Sequence, residues 1–175
     1  MYRPRSPYSY IALKRLTEHF GTEPSGPVEI PEELFHLRRG CFVSLHNSDG
    51  SLRGCIGTIE PVQDNLVNEI RSNAMSAAFS DSRFPPLSVE ELPEITISVD
   101  VLTEPQEVSG FDELDPAIYG VIVSDGTHRR GVLLPSLEGV DTVEKQIDIA
   151  RRKAGLAWTD PGKLKIYRFT STRYH

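Results

Sequence analysis

In CFVSLHNSDGSLRGCIGTI, residues 41–59, apolar and polar positions alternate on both sides of Asp49-Gly50, the pattern of two strands joined by a tight turn. Asp-Gly tolerates the positive φ angles of a two-residue type I′ loop. With that loop, Val43 faces Ile56, Ser44 faces Cys55, Leu45 faces Gly54 and His46 faces Arg53. Side chains alternate between the faces of a strand, so Val43, Leu45, Leu52 and Ile56 are expected on one face, and Ser44, His46, Arg53 and Cys55 on the other. A three-residue loop would move Leu52 to the face of His46, so an even loop is predicted.

Elsewhere the period lengthens. Ser6-Pro7 suits a helix start, and Tyr8, Ile11, Ala12 and Leu16 recur at helical spacing, predicting a helix over about 8–20. Gly21–Pro31 reads as a loop and PEELFHLRR as a short helix or turn. After Pro61, a stripe of Leu66, Ile70, Asn73, Ala74, Ala77 and Ala78 predicts a helix that Pro85-Pro86 ends. EITISVDVL alternates strictly and predicts a half-buried strand. The second half repeats the plan, with a run at Tyr119–Val123, a turn at Ser124-Asp125-Gly126, HRRGVLLP, a helix at Asp141–Lys153 and a last strand in LKIYRF. SDGSLRG is echoed by SDGTHRRG. The expected fold is α+β, with duplicated β-β-α-β units, mainly antiparallel sheets and packed helices. The whole chain, 1–175, reads as one domain of two subdomains, about 1–107 and 108–175.

Composition narrows the classes of function. Hydrophobic residues are 38%, charged residues 25%, and the formal charge is -6. That balance opposes a phosphate-backbone surface, so nucleic acid is not an expected partner. No apolar run approaches the ~18 residues of a membrane helix, and no secretory signal pattern opens the chain. A cytoplasmic protein with no membrane partner is expected. The two cysteines, Cys41 and Cys55, point to opposite faces of the predicted hairpin, which argues against a bridge. The histidines show no metal-ligand spacing, so no metal site is predicted, and no nucleotide-binding glycine motif is present.

Cys55 is the candidate nucleophile. Arg53, two residues away on the same predicted face, would stabilise its thiolate or an anion, and His46 could act as a base across the hairpin. Gly54 and Gly57 would let a ligand or a backbone approach closely. Asp81, Arg83 and Phe84, at the end of the predicted helix, could present an ion pair or bind a carboxylate. The competing explanations are structural: a free cysteine that packs as a small hydrophobe, and a salt bridge that ends a helix. His128-Arg129-Arg130 reads as a solvated basic turn, and Trp158 as part of a packed loop.

LRGCIGTIEP, SRFPPL, SVDVLTEP, RRGVLLP and KAGLAW, in this order from about Pro7 to Phe169, resemble the AMMECR family, whose microbial members are called protein A of the AmmeMemoRadiSam system. The resemblance implies an α+β fold of two subdomains facing a cleft. It also implies partnership with a Memo-type protein, similar to metal-dependent dioxygenases, and with a radical SAM enzyme. The family pattern falls on Leu52, Arg53, Gly54, Cys55, Ile56 and Gly57, and on Ser82 to Pro86. No cofactor is implied by these residues. Many relatives carry a cysteine just before the RKAGL-like stretch, where this chain has Ala150-Arg151-Arg152-Lys153, and His46 lies outside the pattern. Three functions remain open: a binding or accessory module for those partners or a small anionic ligand, an enzyme or covalent carrier using Cys55, and a purely structural motif.

Overall fold

The protein is described by a computed structural model over residues 3–24 and 28–175; Ser25, Gly26 and Pro27 of the expected loop lie outside the described residues. The chain divides into two compact units, Met1–Leu102 with Thr172–His175, and Thr103–Ser171.

The first unit begins with α1 (Pro7–Phe20). Ser6 caps it by accepting the Ser9 N–H, and Gly21 closes it at φ 67. The hairpin follows as β1 (Cys41–His46) and β2 (Leu52–Thr58), then α2 (Leu66–Phe79), capped by Asn65, and β3 (Thr96–Leu102). The C-terminal strand β8 (Ser171–Tyr174) completes an antiparallel sheet in the order β2-β1-β3-β8. Helices α1 and α2 pack on one face of it over a core that includes Ile11, Leu16, Val43, Leu45, Ile70, Ala74, Ile97 and Val99.

The second unit contains β4 (Gln106–Glu107), β5 (Gly120–Ser124), β6 (Arg130–Leu133), α3 (Val143–Lys153) and β7 (Lys165–Phe169). Its sheet runs β6-β5-β7-β4, and α3 packs over Val121, Val123, Leu133 and Ile166. The two sheets therefore share one order: second hairpin strand, first hairpin strand, then the strand after the helix. The duplication extends to atomic detail. Asp49 Oδ1 accepts the N–H and hydroxyl of Ser51, and Asp125 Oδ1 accepts the same two groups of Thr127. Gly50 and Gly126 sit at φ 83 and φ 81. The glycine of each echo receives a helix: a Cβ on Gly54 would lie 2.2 Å from the Ala77 carbonyl oxygen, and one on Gly131 would lie 1.8 Å from that of Ala150. The repeated letters thus mark a repeated helix-on-strand contact.

Three details differ from the expectations. The β1–β2 loop holds three residues, Ser48 to Gly50, with Asn47 N–H bonded to Ser51 O and Gly50 N–H bonded to Asn47 O. Only Gly50 takes positive φ, so this is a type I turn closed by a left-handed glycine rather than type I′. The predicted pairing from Leu45–Gly54 outward is nevertheless present, because β2 bulges. His46 pairs with Leu52, and the register then skips Arg53. The extra residue cancels the odd loop from Gly54 outward, while Leu52 falls opposite His46 rather than on the expected face of Val43 and Leu45. Second, β3 is buried on both faces, since Ser98 and Asp100 are as covered as Ile97 and Val99. Third, Trp158 is fully exposed rather than packed.

Candidate functional site

With α1 and α2 on one face of the first sheet, the residues between Val43, Leu45, Ile97 and Val99 turn to the other. Directly opposed residues of antiparallel strands share a face. Cys55 pairs with Ser44 and Ser44 with Ser98, so a row of thiol, hydroxyl and hydroxyl crosses three strands. Ser44 Oγ donates to Cys55 Sγ at 3.2 Å. Cys55 is half-buried, whereas Ser44 and Ser98 are 6% and 2% exposed. Ser98 Oγ has no hydrogen-bond partner among the described residues.

One pleat along the strands lies Asp100, whose carboxylate accepts both Nε and Nη2 of Arg173 at 3.0 Å. The other flank is His46. Burial holds its pKa below the usual histidine value, and the nearby Arg173 and His175 lower it further, against the opposing pull of Asp100. A neutral imidazole near pH 7 results.

Asp81 and Arg83 meet Cys55 from the side. Strand β2 is a sheet edge, whose outward backbone groups lack a partner strand. Asp81 Oδ2 accepts the Cys55 N–H at 2.9 Å, and Arg83 Nη2 donates to the Cys55 carbonyl at 3.4 Å. Arg83 also chelates Asp81 through Nε at 2.9 Å and Nη2 at 2.7 Å. That fork is the main reason the Asp81 carboxyl titrates far below the usual range; burial opposes it and the Cys55 and Arg83 N–H groups add to it. Phe84 lies under the guanidinium, 5.4 Å from centroid to Arg83 Cζ. Arg83 and Arg173 draw their positive charge chiefly toward Asp81 and Asp100, and each also interacts electrostatically with Cys55.

Arg53 is placed elsewhere. The bulge takes it out of register, and its guanidinium clamps Glu91 through Nε at 2.6 Å and Nη2 at 3.1 Å, with a longer bond to Pro86 O. It is 6% exposed. The expected role beside the thiolate is therefore corrected: Arg53 ties β2 to the segment after Pro85-Pro86. Gly54 and Gly57 are also packing positions. Gly54 admits α2, and a Cβ on Gly57 would lie 2.3 Å from the Phe42 ring. Cys41 faces α2, wholly buried, with Asn73 Nδ2 at 3.4 Å from its sulfur, and burial pushes its pKa up to about 12.

The sequence candidates Cys55, His46, Asp81 and Arg83 lie around Ser44 in the structure, and Ser98, Asp100 and Arg173 beside them were not singled out from the sequence. Ser98 and Asp100 occupy the polar positions of EITISVDVL, a signal that was present. Arg173 follows the last predicted strand and carried none. Among the described residues, no group of three or more His, Cys, Asp or Glu side chains could hold a metal ion, and no helix is long and apolar enough to cross a membrane.

The second unit supplies an internal comparison. Aligning Gly54 with Gly131 and Leu45 with Val123 places Val132, Ile122 and Tyr167 at the positions of Cys55, Ser44 and Ser98. The same scaffold thus accepts two aliphatic side chains and a tyrosine in this row, and nothing in the topology calls for a thiol and two hydroxyls.

The AMMECR1 family model matches residues 9–174, which include every residue of this site. A protein of Thermotoga maritima is 57% identical over 171 residues, covering 96% of this chain and 97% of its own. One of Clostridium acetobutylicum is 47% identical over 155 residues, covering 87% of this chain and 32% of that protein, so the unit is also found within a longer polypeptide. The crystal structure of an uncharacterized protein from Pyrococcus horikoshii superposes with a TM-score of 0.77 at 29% identity, covering 98% of this chain and 93% of that one. The chain belongs to the AMMECR1 family.

Proposed function

We propose that this protein is a binding or accessory module, acting beside a Memo-type protein and a radical SAM enzyme, with the polar face of its first sheet, opposite α1 and α2, as the functional site. The observation that carries the reading is the Cys55–Ser44–Ser98 row, polar where the duplicate has Val132, Ile122 and Tyr167. A buried hydroxyl without a partner costs stability, and such a cost is accepted at sites that serve binding. The Clostridium acetobutylicum relative, of which the unit is about a third, supports a module that works next to other domains.

The test is direct binding of purified Memo-type and radical SAM proteins to the wild type and to a Cys55→Ala, Ser44→Ala, Ser98→Ala triple variant that melts normally. Weaker binding by the variant, on the order of tenfold for a loss of about 1.4 kcal/mol, is the expected result. Failure of both partners to bind the wild type overturns the reading.

A second reading, a covalent reaction at Cys55, is favoured by one observation. Cys55 is half-buried, its Sγ accepts a hydrogen bond from Ser44 Oγ, and Arg83 Nη2 bonds its carbonyl oxygen at 3.4 Å, which places a guanidinium beside the residue. A stable adduct on Cys55, found by intact mass after incubation with the partners and their substrates, would establish it.

A further inference from the structure

We infer that the Cys55–Ser44–Ser98 row seats a small oxyanion, a carboxylate or a phosphate, held by Ser98 Oγ and by the unused N–H groups of Arg83 and Arg173. This inference rests on the binding-module reading and names its ligand class.

The hydrogen-bond inventory of the face carries the argument. The Asp81 carboxylate accepts Cys55 N, Arg83 N, Arg83 Nε and Arg83 Nη2. That of Asp100 accepts Nε and Nη2 of Arg173. Each acid is occupied by its own arginine. A guanidinium carries five N–H groups, and neither Arg83 Nη1 nor Arg173 Nη1 makes a hydrogen bond among the described residues. Ser44 spends its proton on Cys55 Sγ, while Ser98 Oγ–H is buried without a partner. Ser98 Oγ is thus the buried group left unpartnered on this face, the Arg83 and Arg173 side chains are 56% and 52% exposed with N–H groups open to solvent, and the complement of these donors is an acceptor-rich anion.

Size and charge fit the same ligand. Three strands at ~4.8 Å spacing make the row about 10 Å wide, so a phosphate or a short carboxylate would occupy part of it. Side chains two residues apart on one face are separated by about 7 Å, so Asp100 and the Arg173 guanidinium it holds stand one such step from Ser98. The arginines come from opposite sides of the row, Arg83 from the loop after α2 and Arg173 from β8, so an anion between them would be gripped from both sides. The row in the second unit, Val132, Ile122 and Tyr167, offers no comparable set.

Cys55 is the reporter for the test, because Cys41 is 0% exposed. Its alkylation rate is measured with iodoacetate and with iodoacetamide, each relative to a neutral model thiol. An anion seat raises the iodoacetate preference roughly tenfold, and added chloride reduces it by screening. Inorganic phosphate and acetate are then titrated separately, at matched ionic strength, as protectants against iodoacetamide and as stabilisers in a thermal melt. Whichever protects at lower concentration identifies the oxyanion source. Arg173→Gln is expected to abolish the preference, Arg173→Lys to retain part of it, and Ser98→Ala to weaken protection while melting normally.

No iodoacetate preference together with no protection or melting shift from either anion overturns the inference. If Cys55 resists both reagents in the folded protein, the melting shift and its loss in Arg173→Gln decide alone. Partner binding that depends on the row without any anion signature removes this inference and leaves the module reading. An anion signature without partner binding does the reverse.

Discussion

Asp81 accepts the backbone N–H of Cys55 at 2.9 Å and so closes the open edge of β2 at the one residue whose thiol faces the candidate site. The Asp81 side chain is 4% exposed and its partner Arg83 is 56% exposed. Asp81→Ala removes a charged acceptor from two backbone N–H groups and a guanidinium, and is expected to cost about 2–3 kcal/mol in denaturant unfolding. The pH dependence has a definite sign. The folded-state pKa of Asp81 is depressed, with the Arg83 fork as the largest cause. Its contribution is therefore present above the unfolded value of about 3.9 and is lost as pH falls through the folded value. Melting temperature against pH below about 4 should fall less steeply in Asp81→Asn than in the wild type.

Arg53 separates a structural role from a chemical one. Its side chain is 8% exposed and its guanidinium is committed to Glu91, whose pKa it lowers from the usual carboxylate range. Arg53→Ala is expected to destabilise by about 2 kcal/mol, because it removes a nearly buried side chain and leaves Glu91, 35% exposed, without its partner. Arg53→Lys loses the two-pronged geometry and falls between. In molecules still folded, the alkylation rate of Cys55 should stay within about twofold of the wild type, since a shift of 1.4 kcal/mol would be needed for tenfold. A large drop in that rate would return Arg53 to the thiol site.

The duplicated helix contacts make a paired prediction. Gly54→Val and Gly131→Val each force a side chain into a helix carbonyl, 2.2 Å and 1.8 Å from the new Cβ. Both are expected to lose more than about 3 kcal/mol and to yield little folded protein. Gly50→Ala meets open space and costs only its positive φ, about 1 kcal/mol. Soluble expression and urea unfolding of the three variants check the order. If Gly54→Val folded normally, the helix contact would not be what selects glycine there.

Much of this fold was legible because its signals are local. The cap of α1, the Leu66 to Ala78 stripe and the pairing of Val43 with Ile56 and Ser44 with Cys55 follow from period and turn chemistry. The three-residue loop was missed because a compensating bulge at Arg53 leaves the same outer register as an even loop. Strand β8 and Arg173 were missed because the pairing of β3 with the chain terminus is non-local and leaves no periodic mark. The partner of Arg53 was missed for a related reason, since Glu91 lies 38 residues away across a double proline. Ser98 was visible as a polar position, but its burial depends on what covers the second face of β3, and alternation reports only that the faces differ.

The two cysteines should differ sharply in reactivity. Cys41 is fully buried and its pKa is pushed up to about 12, so little thiolate forms near pH 8. Quantitative alkylation followed by peptide mass analysis should give one label, on Cys55, in the native protein and two after denaturation. Labelling of Cys41 in the folded protein would contradict its placement under α2.

The central claim is that the polar row on the first sheet serves binding rather than stability, and Ser98 tests it without requiring any partner. Its hydroxyl is buried and unpartnered, so Ser98→Ala removes a desolvated group that gives nothing back to the fold. The measurement is the unfolding free energy of Ser98→Ala against wild type in ligand-free buffer. The account predicts a change between zero and a gain of about 1 kcal/mol. A loss of about 1 kcal/mol or more would show that the hydroxyl supports the fold and would contradict it.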